Sequence, residues 1–177
     1  PLSALVMSIP INIEKLLGGN TVENNRIELK GGWNPDSIYR TICAFANDFE
    51  DNGSGYIIVG VDENNGRPVR PVRGVPIETI DRIEKEMVGF NNLFEPFYMP
   101  RVSVEDIDGK KVIVIWALAG DRRPYKIPEN VTAKHKTPKY FIRYNSSTIE
   151  AKGENEMELI ELANRVPFDD RGNQKKK

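Results

Sequence analysis

Residues 21–65 constrain the fold more than any other part of the sequence, because their pattern indicates a strand, a helix and a second strand. In the first part, Ile27 and Leu29 alternate with Glu28 and Lys30. Alternation of apolar and polar residues with a period of two is typical of a strand with one buried face. This part is therefore predicted to be a half-buried β-strand.

The middle of the segment carries the signals of a helix followed by a buried strand. Asn34 can cap the helix, Pro35 suits its first position and Asp36 adds an acid to its first turn. One face is predicted to be apolar, from residues at spacings of four, three and four: Ile38, Ile42, Phe45 and Phe49. After a glycine-containing break, the run YIIVGV at residues 56–61 is typical of a strand covered on both faces.

Two groups of residues are recognisable as signatures. The first is Glu23, then Glu28-Leu29-Lys30 five residues later, a helix ending in Ala44-Phe45-Ala46-Asn47, and the strand IIVGVDE. The second is YFIRYNSST at residues 140–148, preceded by Arg123-Pro124-Tyr125. In this order they resemble the AlbA-like domain of the Schlafen family, which many bacterial proteins described as transcriptional regulators share. The resemblance covers all but the two ends of the chain. It implies a single α/β (α+β) domain with a mixed, partly antiparallel sheet flanked by helices.

Two positions depart from the family pattern. Residues 48–52 are inserted where the family usually has paired glycines directly after the Phe-Ala-Asn, and Asn145 stands where glycine is usual. Asparagine tolerates the left-handed conformation better than most residues. A tight turn at Asn145 is therefore compatible with the sequence.

The remainder of the chain adds further elements. Asn12 can cap a brief helix, Pro76 opens another, and Asp108-Gly109 marks the turn of a hairpin. The helix after Pro76 is predicted to bury one side, formed by Ile77, Ile80, Ile83 and Met87. Another strand is predicted at residues 140–144 and a closing amphipathic helix at residues 154–165.

Residues 1–166 are expected to form one Schlafen AlbA-like domain, which is long enough for a sizeable core. Residues 167–177 contain little that can be buried, so we expect a polar disordered tail there. Domains that this chain resembles normally precede ATPase-like and winged-helix regions in longer regulators. We therefore expect the tail to be a truncation point, and downstream regulator domains of the full-length chain to be partners.

The composition narrows the classes of function. The chain has 25 Lys and Arg residues against 26 Asp and Glu residues, so any nucleic-acid surface has to be a local patch. The only cysteine, Cys43, rules out an internal disulfide, suits a reducing compartment and is expected to be a small buried hydrophobe. No apolar run approaches the ~20 residues that cross a bilayer, so we expect a cytoplasmic protein without a membrane partner. The single histidine, His135, argues against a histidine-rich metal site and against a nucleophile served by imidazole.

Carboxylates offer one kind of chemistry. Glu23, Glu28 and the Asp62-Glu63 pair lie near the ends of two strands that can be neighbours in one sheet, with Lys30 on the face of Glu28. Convergent carboxylates hold Mg²⁺ or Mn²⁺ in phosphodiesterases, where the metal polarises the phosphate and activates water. In Schlafen relatives that cleave RNA, the matching positions imply that Glu23, Glu28 and Glu63 carry the metal and the catalysis.

A structural role explains the same carboxylates. A Glu-x-Lys triplet is expected about once by chance in a chain of this length, and Glu150 and Lys152 form a second one. Charges at strand ends also keep sheet edges soluble. Because short motifs match by chance so readily, the sequence leaves both interpretations open.

Positive charge concentrated in residues 122–148 predicts a nucleic-acid surface. Cations neutralise phosphates, aromatic rings stack on unpaired bases, and the hydroxyl and N–H groups of a turn bind phosphate oxygens. The predicted nucleic-acid-binding residues are Lys30, Arg122, Arg123, Lys126, Lys139, Arg143, Ser146, Ser147 and Thr148. Alternatively, Tyr140, Ile142 and Tyr144 form one packed face of a strand and the lysines only solvate a loop.

Three hypotheses follow. The first is a nucleic-acid-binding module of a bacterial transcriptional regulator, with DNA or RNA as its partner. The second is a divalent-metal-dependent endoribonuclease with Mg²⁺ or Mn²⁺ as its cofactor. The third is a structural or oligomerising domain of an ATP-linked regulator, with a second copy of the chain as a partner. Charge reversal at Arg123 and Arg143 is expected to abolish the first activity, and Glu28→Gln to abolish the second while sparing binding.

Overall fold

The computed structural model describes residues 12–18 and 26–165 of the 177-residue chain. Glu23 and the expected tail at residues 167–177 lie outside these ranges. Four helices and nine strands occur in the described part of the chain, and none of these helices is long and apolar enough to cross a bilayer. In chain order the elements are α1 (Ile13–Gly18), β1 (Ile27–Lys30), α2 (Pro35–Asn47), β2 (Ser54–Val59), β3 (Glu63–Asn64), β4 (Arg67–Pro68), α3 (Ile77–Asn91), β5 (Arg101–Ile107), β6 (Lys110–Leu118), β7 (Lys126–Pro128), β8 (Pro138–Tyr144), β9 (Ser147–Glu150) and α4 (Glu154–Asn164).

The central sheet contains four strands in the order β1-β2-β6-β5. β1 runs parallel to β2, whereas β6 is antiparallel to both of its neighbours. A parallel pair needs a crossover connection, which α2 supplies. β7, β8 and β9 form a second, antiparallel sheet, and β3 and β4 form a short hairpin. The predicted single α/β (α+β) domain with a mixed, partly antiparallel sheet and flanking helices is confirmed.

α2 lies between the two sheets and forms the centre of the core. Its Ile38, Tyr39 and Ile42 side chains are fully buried, in a cluster that includes residues of β2, β6 and β8. As predicted, the Asn34 side chain accepts a hydrogen bond from the first turn and Pro35 is the first helical residue. Full burial of such side chains stabilises the fold by ~1.5–3 kcal/mol each, so α2 holds the two sheets together.

The end of α2 differs from the prediction. Asp48 adopts a left-handed conformation with a φ of 44°, and its backbone N–H closes the last helical turn. Its carboxylate then accepts hydrogen bonds from the N–H groups of Asn52 and Gly53. Phe49 therefore leaves the helix and packs, half-buried, beside α4 instead of extending the apolar face. The inserted residues 48–52 are thus a helix cap and a hydrogen-bonded turn.

α1 covers part of the opposite face of the central sheet. Ile13 and Leu17 are buried in a second cluster with Leu29 of β1 and Ile58 of β2. As predicted, Asn12 caps the helix, here by accepting a hydrogen bond of 2.9 Å from a backbone N–H. The two faces of the central sheet are therefore packed against different helices.

Two predicted turns are confirmed. Asp108 and Gly109 join β5 to β6 with φ angles of 52° and 73°. Two consecutive positive φ angles match the twist of a two-residue hairpin. Asn145 joins β8 to β9 with a φ of 55°, so asparagine serves where the family usually has glycine.

α3 buries less of its predicted apolar side. Ile83 and Met87 are buried, but Ile77 is 69% exposed. Ile77 is the first residue of the helix and lines an open cleft instead of the core. The buried side of α3 therefore begins one turn after Ile77, the residue at which it was predicted to begin.

Candidate nucleic-acid interface and carboxylate cluster

The two signature segments meet at an ion pair between Glu28 and Arg143. Glu28 Oε1 lies 2.8 Å from Arg143 Nη2. Glu28 lies on the α2 side of the central sheet, because its register neighbour Ile57 packs in the same cluster as α2. The ion pair therefore joins β1, at the edge of the central sheet, to β8 of the second sheet.

Arg143 is buried, with 5% of its side chain exposed. Its Nη1 donates a hydrogen bond of 2.9 Å to Thr148 Oγ1, which lies 2.9 Å from Thr41 Oγ1. The guanidinium carbon is 5.1 Å from the centre of the Phe45 ring, within the range of a cation–π interaction. Arg143 and the Thr148 hydroxyl, both predicted to bind nucleic acid, are thus used inside the protein.

Lys30 completes this group, which we name the Glu28 cluster: Glu28, Lys30, Thr41, Arg143 and Thr148. Lys30 Nζ lies 3.6 Å from Glu28 Oε2. The carboxylate is thus placed between two cations, of which only Lys30 has a substantial exposed fraction, 24%. The prediction that Glu28 and Lys30 share one face of the strand is confirmed.

Glu63 lies apart from the Glu28 cluster. It is exposed in β3, where its Oε2 accepts a hydrogen bond of 2.6 Å from the N–H of Gly66. No hydrogen bond or ion pair joins Glu63 to Glu28, and no three His, Cys, Asp or Glu side chains within residues 12–18 and 26–165 are grouped to hold a metal ion. Because Glu23 lies outside those ranges, the three-carboxylate site stays a prediction.

The carboxylates of Glu28 and Glu63 are not arranged to coordinate Mg²⁺ or Mn²⁺. The two oxygens of Glu28 face Arg143 and Lys30, and a carboxylate between two cations is poorly suited to a third. Glu63 holds a turn instead. Glu28 and Glu63 therefore do not form a divalent-metal site by themselves.

Asn47 holds the second signature against the end of α2, a role that the sequence did not reveal. Its side-chain nitrogen donates to the carbonyl oxygens of Tyr125 at 3.0 Å and Phe141 at 2.8 Å. Its oxygen accepts from the N–H of Tyr125 at 2.6 Å. Asn47 is 2% exposed, and a buried amide requires such partners. The only sequence signal is a polar residue that directly follows the apolar run at residues 42–46.

Two predicted phosphate-binding cations are ion-paired. Lys139 on β8 contacts the carboxylates of Glu129 and Glu150. The hydrogen bond from Lys139 lowers the pKa of Glu129. Arg123 Nη1 lies 3.9 Å from a carboxylate oxygen of Asp48, and the arginine side chain is 36% exposed.

Other cations of this region have no ion pair with the described residues. They follow β7 from the segment before it to the loop after it, and we name them the basic strip: Arg122, Lys126, Lys134 and Lys136. Lys126 Nζ stands 5.8 Å from the centre of the Tyr140 ring, its neighbour on β8. Lys136 Nζ donates to a backbone carbonyl in its own loop. Positive charge therefore remains unneutralised along β7.

The aromatic residues of β8 divide between packing and exposure. Tyr140 is half-buried and packs, like the buried Ile142, in a cluster with Leu159 of α4. Tyr144 is 56% exposed at the end of β8. Ser146 and Ser147 are exposed beside it, Ser146 in the turn and Ser147 at the start of β9. The alternative of a packed face thus applies to Tyr140 and Ile142, but not to Tyr144.

Comparisons with known proteins bear on the family. No curated protein matches this chain. The N-terminal domain of a RecG-related protein from Nitrosomonas europaea is similar at 22% identity and a TM-score of 0.46, over 71% of this chain and 76% of that one. The DIP2311 protein from Corynebacterium diphtheriae is similar at 14% identity and a TM-score of 0.48, over 78% of this chain and 28% of that one. At these scores neither likeness bears on function.

A family model provides the assignment. The model described as Schlafen, AlbA_2 matches residues 23–152, well over half of the chain. The match spans both signature segments, which the structure joins through the Glu28–Arg143 ion pair and Asn47. This chain therefore belongs to the Schlafen AlbA_2 family.

Proposed function

We propose that this domain binds nucleic acid through the basic strip. The observation that supports this most is that these four cations carry no ion pair with the described residues, in a chain whose formal net charge is −1. Elsewhere in the same region, Arg143, Lys139 and Arg123 face carboxylates. Unneutralised cations on β7 and in the segments that flank it attract the phosphates of a polyanion.

Exposed groups beside the strip suit contacts with an unpaired strand. Tyr144 lies where β8 runs past the start of β7, and an exposed aromatic ring stacks on bases of any sequence. Ser146 and Ser147 offer hydroxyls to phosphate oxygens. Lys30 and Arg123 extend the proposed surface, whereas Arg143 and Thr148 support it from inside.

The biological setting is part of the proposal. We place the domain in the cytoplasm, as the nucleic-acid-binding part of a longer transcriptional regulator. Its family membership supports a role connected with nucleic acid. The endoribonuclease activity stays a prediction, and so does the structural or oligomerising role. If the domain has only the structural or oligomerising role, it should not bind nucleic acid at all.

Charge reversal tests the proposal. The variant Arg122→Glu/Lys126→Glu is compared with the wild-type chain by fluorescence anisotropy on labelled single-stranded DNA, duplex DNA and hairpin RNA. We expect affinity to fall by about tenfold or more on the preferred substrate, because two phosphate contacts become repulsive. Reversal of Arg143 is not used, since it would leave Glu28 buried beside a second acid.

The control is Lys85→Glu, which reverses one cation where the test variant reverses two. Lys85 lies on α3 and is 77% exposed, with one exposed ion pair to Asp81. The control should retain wild-type affinity. Equal losses in the control and the double variant, or no binding by the wild-type chain, would overturn the proposal.

A further inference from the structure

A cleft of about 640 Å³ lies at one end of the central sheet, and no residue of β7 or β8 is among its lining residues. It is formed after the end of β1, by the segment that leads into α3, by the first turns of α3 and by the β5–β6 turn. Pockets for small ligands are typically ~300–1,000 Å³. This end is also where the parallel strands β1 and β2 terminate, the side of such strands on which ligands commonly bind.

The charged residues that line the cleft are all cations. They are Arg73, Arg82, Lys110 and Lys111, and no Asp or Glu is among the lining residues, all of which are described. Arg73 pairs with Asp62, Arg82 with Glu86 and Lys111 with Asp106, carboxylates that lie outside the lining. Lys110 makes no ion pair within the described ranges and is exposed.

These ion pairs leave the arginines available to a ligand. The side chains of Arg73 and Arg82 are 67% and 61% exposed. An exposed pair with a single contact contributes little because solvent screens it, whereas Arg73 donates to both oxygens of Asp62, at 2.9 and 3.0 Å. An anion that enters the cleft therefore meets Lys110 and the Arg82 guanidinium directly, and competes with Asp62 for Arg73.

The remaining wall of the cleft is apolar and includes a fixed aromatic ring. The indole Nε1 of Trp33 donates a hydrogen bond of 3.1 Å to Glu86, which holds the ring in place. Ile77 is largely exposed beside it. A Cβ added to Gly32, another lining residue, would meet no atom within 4 Å, so a larger side chain fits at this position without a clash. The site thus offers an apolar surface for a flat group and cations for a negative one.

We propose that this cleft binds a mononucleotide. The base would lie against Trp33 and Ile77, and the phosphates would contact Arg73, Arg82 and Lys110. The ligand class follows from the combination of an aromatic wall and a carboxylate-free cationic lining in a cleft of this volume. The site is independent of the basic strip, and its occupation does not require the strip to bind nucleic acid.

Isothermal titration of the full chain with ATP, ADP, AMP and inorganic phosphate tests the proposal. We expect saturable 1:1 binding of nucleotides that is tighter than that of inorganic phosphate. Lys110→Glu should weaken nucleotide binding by about tenfold, because a protein cation that contacts the phosphates becomes an anion. Gly32→Val should weaken it similarly by filling the cleft, and thermal unfolding would show that the variant is folded. The control is Lys85→Glu. Lys85 lies on α3, like Arg82, but outside the cleft, so this variant should bind nucleotides as the wild-type chain does.

Several results would overturn the proposal. One is the absence of saturable nucleotide binding, and another is AMP binding no tighter than inorganic phosphate, which would remove the role of the base. Equal losses in Lys110→Glu and Lys85→Glu would show a non-specific charge effect. If Gly32→Val fails to fold, the result for Lys110→Glu is used by itself. Lys110 is exposed, so its substitution should not disturb folding. A loss of single-stranded DNA binding in Lys110→Glu, without any nucleotide binding, would assign the cleft to the nucleic-acid surface instead.

Discussion

Arg143 Nη2 lies 2.8 Å from Glu28 Oε1 and connects the second sheet to the edge of the central one. Both side chains are largely buried, at 5% and 14% exposed. Glu28 and Arg143, one charged residue from each family signature, therefore neutralise each other inside the protein. This relationship changes how mutations at either residue are interpreted.

Removal of Arg143 is expected to destabilise the fold. Arg143→Met leaves the Glu28 carboxylate without its buried partner, and breaking a buried pair from one side typically costs ~3–5 kcal/mol. Glu28→Gln keeps a hydrogen-bond acceptor and should cost less, about 1–2 kcal/mol. Urea unfolding measures both values. The double variant should cost less than the sum, and strict additivity would contradict the pairing.

Asn47→Ala is expected to lower the free energy of unfolding by about 3 kcal/mol, because two buried carbonyls and one N–H each lose a hydrogen bond. Urea unfolding again gives the value. The control is Asn52→Ala, at an exposed position where only the backbone N–H is hydrogen-bonded. A loss at Asn47 no larger than that at Asn52 would show that the amide is not a structural link.

Cys43 is expected to be unreactive in the folded chain. It is fully buried in α2, as the sequence predicted, and burial raises the pKa of its thiol to about 12. At pH 8 almost no thiolate is present to attack a disulfide reagent. Reaction with such a reagent should be slow in buffer and fast in concentrated urea. Rapid modification in buffer would contradict the burial.

Asp108 is expected to make stability depend on acid pH. Its hydrogen bond from Arg70 lowers the pKa of the Asp108 carboxyl. A lowered pKa contributes stability that is fully present above the ordinary value, about 4 for aspartate, and is lost as the pH falls through the folded value. The difference in unfolding free energy between the wild-type chain and Asp108→Asn should therefore shrink below about pH 4. A difference independent of pH would contradict this assignment.

Glu28→Gln also separates binding from catalysis. The described carboxylates do not by themselves suit a divalent metal, and Glu23, the third residue of the predicted site, lies outside the described residues. If the domain only binds nucleic acid, hairpin RNA incubated with the wild-type chain and Mn²⁺ should stay intact on a denaturing gel, as it does in EDTA. Manganese-dependent cleavage that disappears in Glu28→Gln would contradict this and establish the nuclease hypothesis.

Local patterns in the sequence predicted the elements well. The alternation at Ile27 and Leu29, the Asn34 cap and the Asp108-Gly109 turn each depend on neighbouring residues, and each is present. The prediction that Phe49 lies on α2 is wrong, because the left-handed Asp48 ends the helix first. A residue that stops a helix by its own carboxylate contacts leaves a weaker signal than glycine.

The site was less accessible to sequence reasoning, because its contacts join distant segments. Arg143 was predicted to bind phosphate, and nothing near it in sequence indicates that Glu28, on another sheet, neutralises it. The cleft beside Trp33 likewise combines segments that are far apart in the chain. Local charge density predicted the basic region at residues 122–148, but only the structure separates its ion-paired cations, Arg123, Lys139 and Arg143, from the basic strip.

The salt dependence of binding shows directly whether the basic strip contacts phosphates. The logarithm of the association constant is measured against the logarithm of the salt concentration for the wild-type chain, Arg122→Glu/Lys126→Glu and Lys85→Glu. Each phosphate-contacting cation contributes roughly 0.7–0.9 to the slope, so the double variant should show a slope smaller by about 1.5. The control should keep the wild-type slope. An unchanged slope in the double variant would show that the basic strip does not contact the phosphates, and would contradict the account.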